Sequence, residues 1–204
     1  MKKGITKILS ACVFAFVVFL AAGTQSKAAV NMGVKQTGAG SSYVELAWNA
    51  QLGAGHYHTQ FSQDGKNWID MEYSSSPSDS VYNLTQGASY YARVVAYNGS
   101  HYSGTHVMVG VSETAIVSTK PTEVTGLTQT AAGVNSVSMS WNASAGAASY
   151  VIYGYINYNW TQIGTSATNS ATITGVAATT STKFSVAAVK NVTGGTVTGD
   201  QCSG

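Results

Sequence analysis

The chain has 204 residues, of which only 9% are charged, and its formal net charge is +2. Four of its ten basic residues lie in the first 27 positions, where no acidic residue occurs. A chain without this segment would carry six basic and eight acidic residues, which gives a net charge of −2. The remaining Lys and Arg residues are scattered, which excludes a protein that binds nucleic acid through a basic surface.

The N-terminal segment has the pattern of a secretory signal peptide. Basic residues precede an apolar run at 8–22, which is shorter than the ~20 residues that a membrane-spanning helix needs. Small residues at Ser26 and Ala28 fit a signal peptidase site. We therefore predict a signal peptide over residues 1–28 and a mature chain that has no transmembrane helix and is secreted or held at the cell surface.

The two cysteines of the sequence differ in their context. Cys12 stands in the letters of a lipoprotein attachment box, but most of the apolar run follows it, so we interpret it as part of the leader. The mature chain then retains only Cys202, and an internal disulfide is impossible. This thiol is free, pairs with another chain, or pairs with a downstream residue of a longer parent protein.

Apolar residues occupy every second position from Val44 to Trp48 and again from Tyr90 to Ala96. This period of two is typical of half-buried antiparallel strands, and no segment shows the period of 3.6 that indicates a helix. Turn dipeptides such as that at 64–65 separate the alternating segments. The sequence therefore predicts short strands connected by tight turns.

An internal repeat organises the mature chain. The segment YVELAWNAQLGAGHY recurs 93 positions later as SVSMSWNASAGAASY, with Trp48 aligned to Trp141 and Tyr57 aligned to Tyr150. We predict two domains of similar structure.

The predicted domain boundaries follow from this alignment. The first domain spans 30–118, a short linker containing Pro121 spans 119–123, and the second domain spans 124–204. Because the second unit ends earlier than the first, its C-terminal strand is predicted to be incomplete, as in a fragment of a longer protein.

Five residues of the first unit carry a resemblance to a known family. They are Trp48 in the second strand, Tyr57 opening the third, and the approach Leu84-x-x-Gly87-x-x-Tyr90 to the sixth. In these residues the chain resembles the fibronectin type III family. The resemblance implies an all-β protein of two consecutive seven-stranded Greek-key sandwiches of the immunoglobulin-like type, in which a three-stranded sheet packs on a four-stranded one.

The resemblance also implies a tyrosine corner, in which the hydroxyl of Tyr90 bonds back to the preceding loop. The second unit has Thr182 at the corresponding position. We expect a looser connection between the fifth and sixth strands of the second domain.

His56 and His58 lie on one face of a predicted strand, a spacing that can bind a metal ion. The family's sheet order places Arg93 beside them, and a cation disfavours metal binding. A third ligand exists only if His101 folds over from its loop. We therefore expect neither a metal nor a cofactor.

Two surfaces are candidates for binding a protein or polysaccharide ligand. The first is the loop that contains Asn98, His101 and Tyr102, since the resemblance implies that such loops bind partners; a silent, solvated loop is the alternative. The second consists of aromatic residues of the second unit that could stack on sugar rings, although only asparagines accompany them. These are Tyr153, Tyr155, Tyr158 and Trp160.

The sequence contains no nucleophile elbow, phosphate-binding loop or zinc motif, and the second unit has no histidine. We predict a monomeric, non-catalytic extracellular spacer or adhesion module without catalytic residues. One alternative is an ancillary segment of a larger secreted enzyme that degrades carbohydrate or peptide. The other is a carbohydrate-binding module that uses the aromatic residues of the second domain.

Overall fold

The computed structural model describes residues 29–103, 106–176 and 182–202, which form two β-sandwiches in succession. The predicted signal peptide, the connection at 177–181 where a looser link was expected, and the last two residues lie outside the described residues.

The described residues of the first domain form eight strands: β1 (Lys35–Ala39), β2 (Val44–Ala47), β3 (His56–Ser62), β4 (Ile69–Ser74), β5 (Ser78–Val81), β6 (Ser89–Tyr97), β7 (Met108–Val111) and β8 (Ala115–Ser118). One sheet has the order β1-β2-β5, and the other has the order β4-β3-β6-β7 with β8 also paired to β6. β7 pairs with the end of β6 and β8 with its beginning, so together they occupy one strand position.

Across 124–176 and 182–202, the second domain has seven strands: β9 (Thr128–Gly133), β10 (Ser136–Ser140), β11 (Ser149–Ile156), β12 (Asn159–Ser166), β13 (Ser170–Thr174), β14 (Phe184–Val192) and β15 (Gly195–Thr198). Its sheets have the orders β13-β10-β9 and β12-β11-β14-β15. Each domain thus packs three strands against four strand positions. The chain is a tandem of two sandwiches of the fibronectin type III fold, which confirms the predicted fold class.

The repeated Trp and Tyr form the same pair in both cores. Trp48 packs edge-on against Tyr57, with ring centroids 5.4 Å apart, and Trp141 packs in the same way against Tyr150 at 5.3 Å. All four side chains are buried, because strand alternation directs them between the two sheets. The internal repeat therefore reflects a repeated core contact.

Tyrosine hydroxyls fix several loops of the first domain. The Tyr90 hydroxyl accepts a hydrogen bond from the backbone N–H of Thr85 at 3.0 Å, which is the predicted tyrosine corner. The Tyr57 hydroxyl accepts one from the N–H of Gln51 at 3.1 Å. In each case a core ring also holds the adjacent loop in place.

Cys202 is buried in the core of the second domain, and it is unpaired among the described residues. Its Sγ atom accepts a hydrogen bond from the N–H of Val186 at 3.1 Å, and Ser185 Oγ donates to its carbonyl oxygen at 3.0 Å. The structure therefore places this thiol inside a core and not at the surface.

Hydrogen bonds join the two domains directly. The N–H of Thr193, in the turn between β14 and β15, donates to the carbonyl of Ile116 at 2.8 Å, and the N–H of Ile116 donates to Thr193 Oγ1 at 2.7 Å. Lys190 Nζ donates to the carbonyl of Gly87 in the first domain.

The described part of the chain contains no helix long and apolar enough to cross a membrane.

Candidate functional site

Four histidines gather on the outer face of the first domain, and we call them the histidine cluster: His56, His58, His101 and His106. His56 and His58 share this face because they stand two positions apart on β3. The other two come from the loop between β6 and β7, which returns over the same strand. Four of the ring pairs have centroids 5.2–5.5 Å apart, and the rings of His58 and His106 are 6.5 Å apart.

His56 is held in a fixed orientation at the centre of the cluster. It is only 2% exposed, and its ring lies parallel to that of Tyr97, its cross-strand neighbour on β6, with centroids 5.3 Å apart. Nδ1 lies 3.0 Å from the carbonyl oxygen of Gly99 and, because a carbonyl only accepts, Nδ1 carries the proton. In the neutral imidazole Nε2 is then the nitrogen with the free lone pair, and it is buried without a hydrogen-bond partner among the described residues.

His58 connects the strand to the loop. Its Nε2 lies 3.3 Å from Nδ1 of His101, and its Nδ1 lies 4.0 Å from Oδ1 of Asp70. Burial lowers the pKa of His58, Asp70 opposes this shift, and the neighbouring imidazoles reinforce it. The neutral imidazole, which is the form that binds metals, is therefore favoured.

An aromatic contact outside the cluster holds His101 over the strand. The ring of Tyr73 on β4 stacks on His101 with centroids 4.1 Å apart and planes at 6°. The hydroxyl of Tyr73 is hydrogen-bonded to that of Tyr102, which raises the pKa of Tyr73.

Asn98 closes the base of the loop, since its Oδ1 accepts a hydrogen bond from the N–H of Val107 at 2.7 Å. Of the three predicted loop residues, His101 thus enters the cluster, Asn98 shapes the loop, and Tyr102 is exposed.

A close backbone approach brings the loop to β3. The N–H of Gly55, just before β3, donates to the carbonyl of Tyr97 at 2.7 Å. A Cβ atom on Gly55 would lie 2.1 Å from the carbonyl oxygen of Gly99, the same oxygen that accepts from His56. Only glycine permits this approach.

Arg93, expected beside the histidines, is engaged elsewhere. It pairs with Gln60 across the sheet, and its Nε donates to Gln60 Oε1 at 2.7 Å. Its guanidinium lies 4.1 Å from the centre of the Trp68 ring, a cation–π contact. The charge of Arg93 is thus directed toward Trp68.

The aromatic residues of the second domain gather at one hairpin. Tyr155 and Trp160 are cross-strand partners, with ring centroids 5.3 Å apart and exposures of 39% and 41%. Asn157 and Tyr158 both have positive φ and form the two-residue turn between them, which leaves Tyr158 89% exposed. Tyr153 is half-buried further along β11. Three of the four predicted residues are therefore exposed at this hairpin, and we call Tyr155 and Trp160, which are in ring contact, the exposed aromatic patch.

Sequence reasoning missed the part that Tyr73 and Asp70 play around the histidines. Tyr73 is the cross-strand partner of His58, so a correct pairing of β3 with β4 would have placed the tyrosine beside the histidines. The register could not be fixed from sequence, since β3 and β4 are offset by a bulge between Thr59 and Gln60.

No protein-family model matches the chain. The chain is 33% identical over 162 residues to Chitinase A1 of Niallia circulans, an alignment that covers 76% of this chain and 22% of the chitinase. It therefore spans less than a quarter of that enzyme's length.

Two solved structures are among those similar to the chain. A two-domain fibronectin type III segment of chicken tenascin is 17% identical, with a TM-score of 0.41, and the match covers 84% of this chain and 95% of that one. The FN1–FN3 domains of chicken CNTN1 are 15% identical, with a TM-score of 0.47, covering 86% and 65% respectively.

Proposed function

We propose that the chain is a non-catalytic extracellular spacer that serves as an ancillary module of a secreted carbohydrate-degrading enzyme. The observation that carries this proposal is the set of contacts between the two domains, which restricts their relative orientation. The similarity of the chain to part of a chitinase supports the enzyme context.

A buried lysine makes one of these contacts. Lys190 is 4% exposed, and burial lowers its pKa. A buried ammonium group is costly unless it is hydrogen-bonded, and Lys190 Nζ donates to the carbonyl of Gly87 in the other domain. Separation of the domains would break this hydrogen bond and expose the lysine and the carbonyl to solvent.

The linker is also attached to the first domain. The N–H of Lys120 donates to the carbonyl of Gly40 at 2.9 Å, and the carbonyl of Lys120 accepts from the N–H of Gly87 at 3.0 Å. Its Nζ lies 2.7 Å from Oδ1 of Asp200 in the second domain. Pro121 is buried, so the chain between the domains has little freedom.

The spacer hypothesis predicts a single, narrow distance between the domains. We would place spin labels at Ser41 and Thr165, one in each domain, and measure the distance distribution by double electron–electron resonance. The wild type should give a narrow distribution, and the double variant Thr193→Val/Lys190→Met should give a broader one. A label pair within the first domain is the control, since it should be unchanged. A broad distribution in the wild type would contradict a spacer of fixed geometry.

A second candidate function is carbohydrate binding by the exposed aromatic patch. The observation that favours it is the side-by-side exposure of Tyr155 and Trp160, because sugar rings stack on aromatic faces. Co-sedimentation with insoluble chitin would test it. Trp160→Ala should reduce the bound fraction, whereas Tyr82→Ala, at an exposed tyrosine of the first domain, should not. Equal binding by both variants would exclude the patch.

A further inference from the structure

The histidine cluster has the geometry of a metal site. Ligand nitrogens of His56, His58 and His101 all lie within 4.8 Å of one another. From this arrangement we propose that these three imidazoles bind a divalent transition-metal ion, for which Zn²⁺ is the first choice. The proposal goes beyond the spacer function and does not depend on it.

The spacing of the nitrogens fits tetrahedral coordination. With Zn–N bonds of about 2.0–2.1 Å, two ligands of a tetrahedral site have their nitrogens roughly 3.3–3.4 Å apart. Nε2 of His58 and Nδ1 of His101 are 3.3 Å apart. These two side chains therefore need little movement to share one ion, although they come from a strand and a loop 43 positions apart.

His56 supplies a third ligand whose orientation is already fixed. Its Nδ1–H donates to the carbonyl of Gly99, the type of outer contact that metal-binding histidines commonly make. This bond leaves the lone pair of Nε2 available, and that atom is buried without a partner among the described residues. A buried nitrogen of this kind is unfavourable unless something binds it, and an ion placed between the three rings would do so.

The surroundings provide compensation for the positive charge of the ion. The carboxylate of Asp70 lies 4.0 Å from the second nitrogen of His58, where a small movement would form a carboxylate–histidine–metal chain. The guanidinium of Arg93, a nearby cation that could oppose the ion, is directed over Trp68.

The donor set determines the class of ion. Three imidazole nitrogens suit Zn²⁺, Cu²⁺ or Ni²⁺, whereas Mg²⁺ and Ca²⁺ require oxygen ligands. Three protein ligands leave a fourth position for water or for His106, whose ring is 5.2 Å from that of His56. Bound metal would fasten the loop between β6 and β7 to strand β3.

The second domain serves as an internal comparison. The repeat aligns His56 with Ser149 and His58 with Val151, and this unit contains no histidine. The chain should therefore bind one ion, in the first domain only.

Isothermal titration of the metal-free chain, purified without a histidine tag, would test the proposal with Zn²⁺ as the probe. We expect saturable binding of one ion per chain and a rise in the melting temperature of the first domain. His101→Ala, a change in a surface loop, should weaken binding at least about 100-fold, since removing even an outer partner costs 10–100-fold. Val107→Ala in the same loop is the matched control and should retain wild-type affinity.

A second measurement reports the geometry directly. Co²⁺ in place of Zn²⁺ should give the intense visible absorption of a tetrahedral site, and His58→Ala and His101→Ala should each abolish it. Mg²⁺ should not compete. The proposal would be overturned if the wild type bound no Zn²⁺ with saturation, or if both histidine variants bound it as the wild type does.

Discussion

Replacement of Trp48 by alanine should largely unfold the first domain. The indole is 6% exposed, and a buried aromatic side chain removes roughly 150–250 Å² from water at about 25 cal/mol per Å². Its loss therefore costs about 4–6 kcal/mol, which overlaps the ~3–5 kcal/mol usual for such truncations. The edge-on contact with Tyr57 adds about 1 kcal/mol.

This loss is comparable to the whole stability of the domain. At about 0.05–0.15 kcal/mol per residue, a sandwich of this size has a free energy of unfolding of roughly 5–13 kcal/mol. A loss of 4 kcal/mol lowers the melting temperature by roughly 15–30 °C in a domain of this length.

Trp48→Phe is the matched control for this change. Nε1 of Trp48 has no hydrogen-bond partner among the described residues, so phenylalanine loses ring area but no hydrogen bond. Its cost should be less than half that of alanine.

Residue-resolved NMR combined with thermal melting separates the two domains. In Trp48→Ala the amide signals of β3 and β6 should collapse toward random-coil positions while those of β11 and β14 persist, because Trp141 keeps its own core. A melting temperature within about 5 °C of the wild type would refute the reasoning.

Two further results are expected from single sites. The carboxylate of Asp64 accepts from the N–H groups of Asn67 and Lys66, each at 2.8 Å, and these bonds hold its pKa well below the usual range. The ionised carboxylate therefore stabilises the fold above the unfolded-state pKa of about 4, and this stabilisation is lost as the pH falls below it. On acidification the wild type should lose more stability than Asp64→Asn, which urea titrations at several pH values would measure. Equal losses of stability in the two proteins would contradict this. The Cys202 thiol, bonded to Val186 within the core, should react with a thiol reagent orders of magnitude more slowly in the native protein than in urea, and equal rates would place it at the surface.

The fold was predictable because its signals are local. The alternation of apolar residues places Trp48 and Trp141 between the sheets independently of the loop conformations, and the internal repeat shows this pattern twice. The position of His101 was not predictable, because it depends on stacking with Tyr73 from another strand. The contact of Lys190 with the first domain was not predictable from sequence either, because its acceptor, the carbonyl of Gly87, lies 103 positions away in the chain.

The two copies differ at one equivalent loop, and this difference separates their proposed functions. In the second domain the link from β14 to β15 is a two-residue turn, and Gly194, with φ of +86°, permits a turn so tight that Thr193 can contact Ile116 of the first domain. In the first domain the link from β6 to β7 is longer and folds back over β3, where His101 meets His58. A short turn is suited to docking against another domain, whereas a long loop can carry ligands to a strand. Transfer of the long loop into the second domain should therefore weaken the domain contact without creating a metal site, because Ser149 and Val151 occupy the positions of the strand histidines.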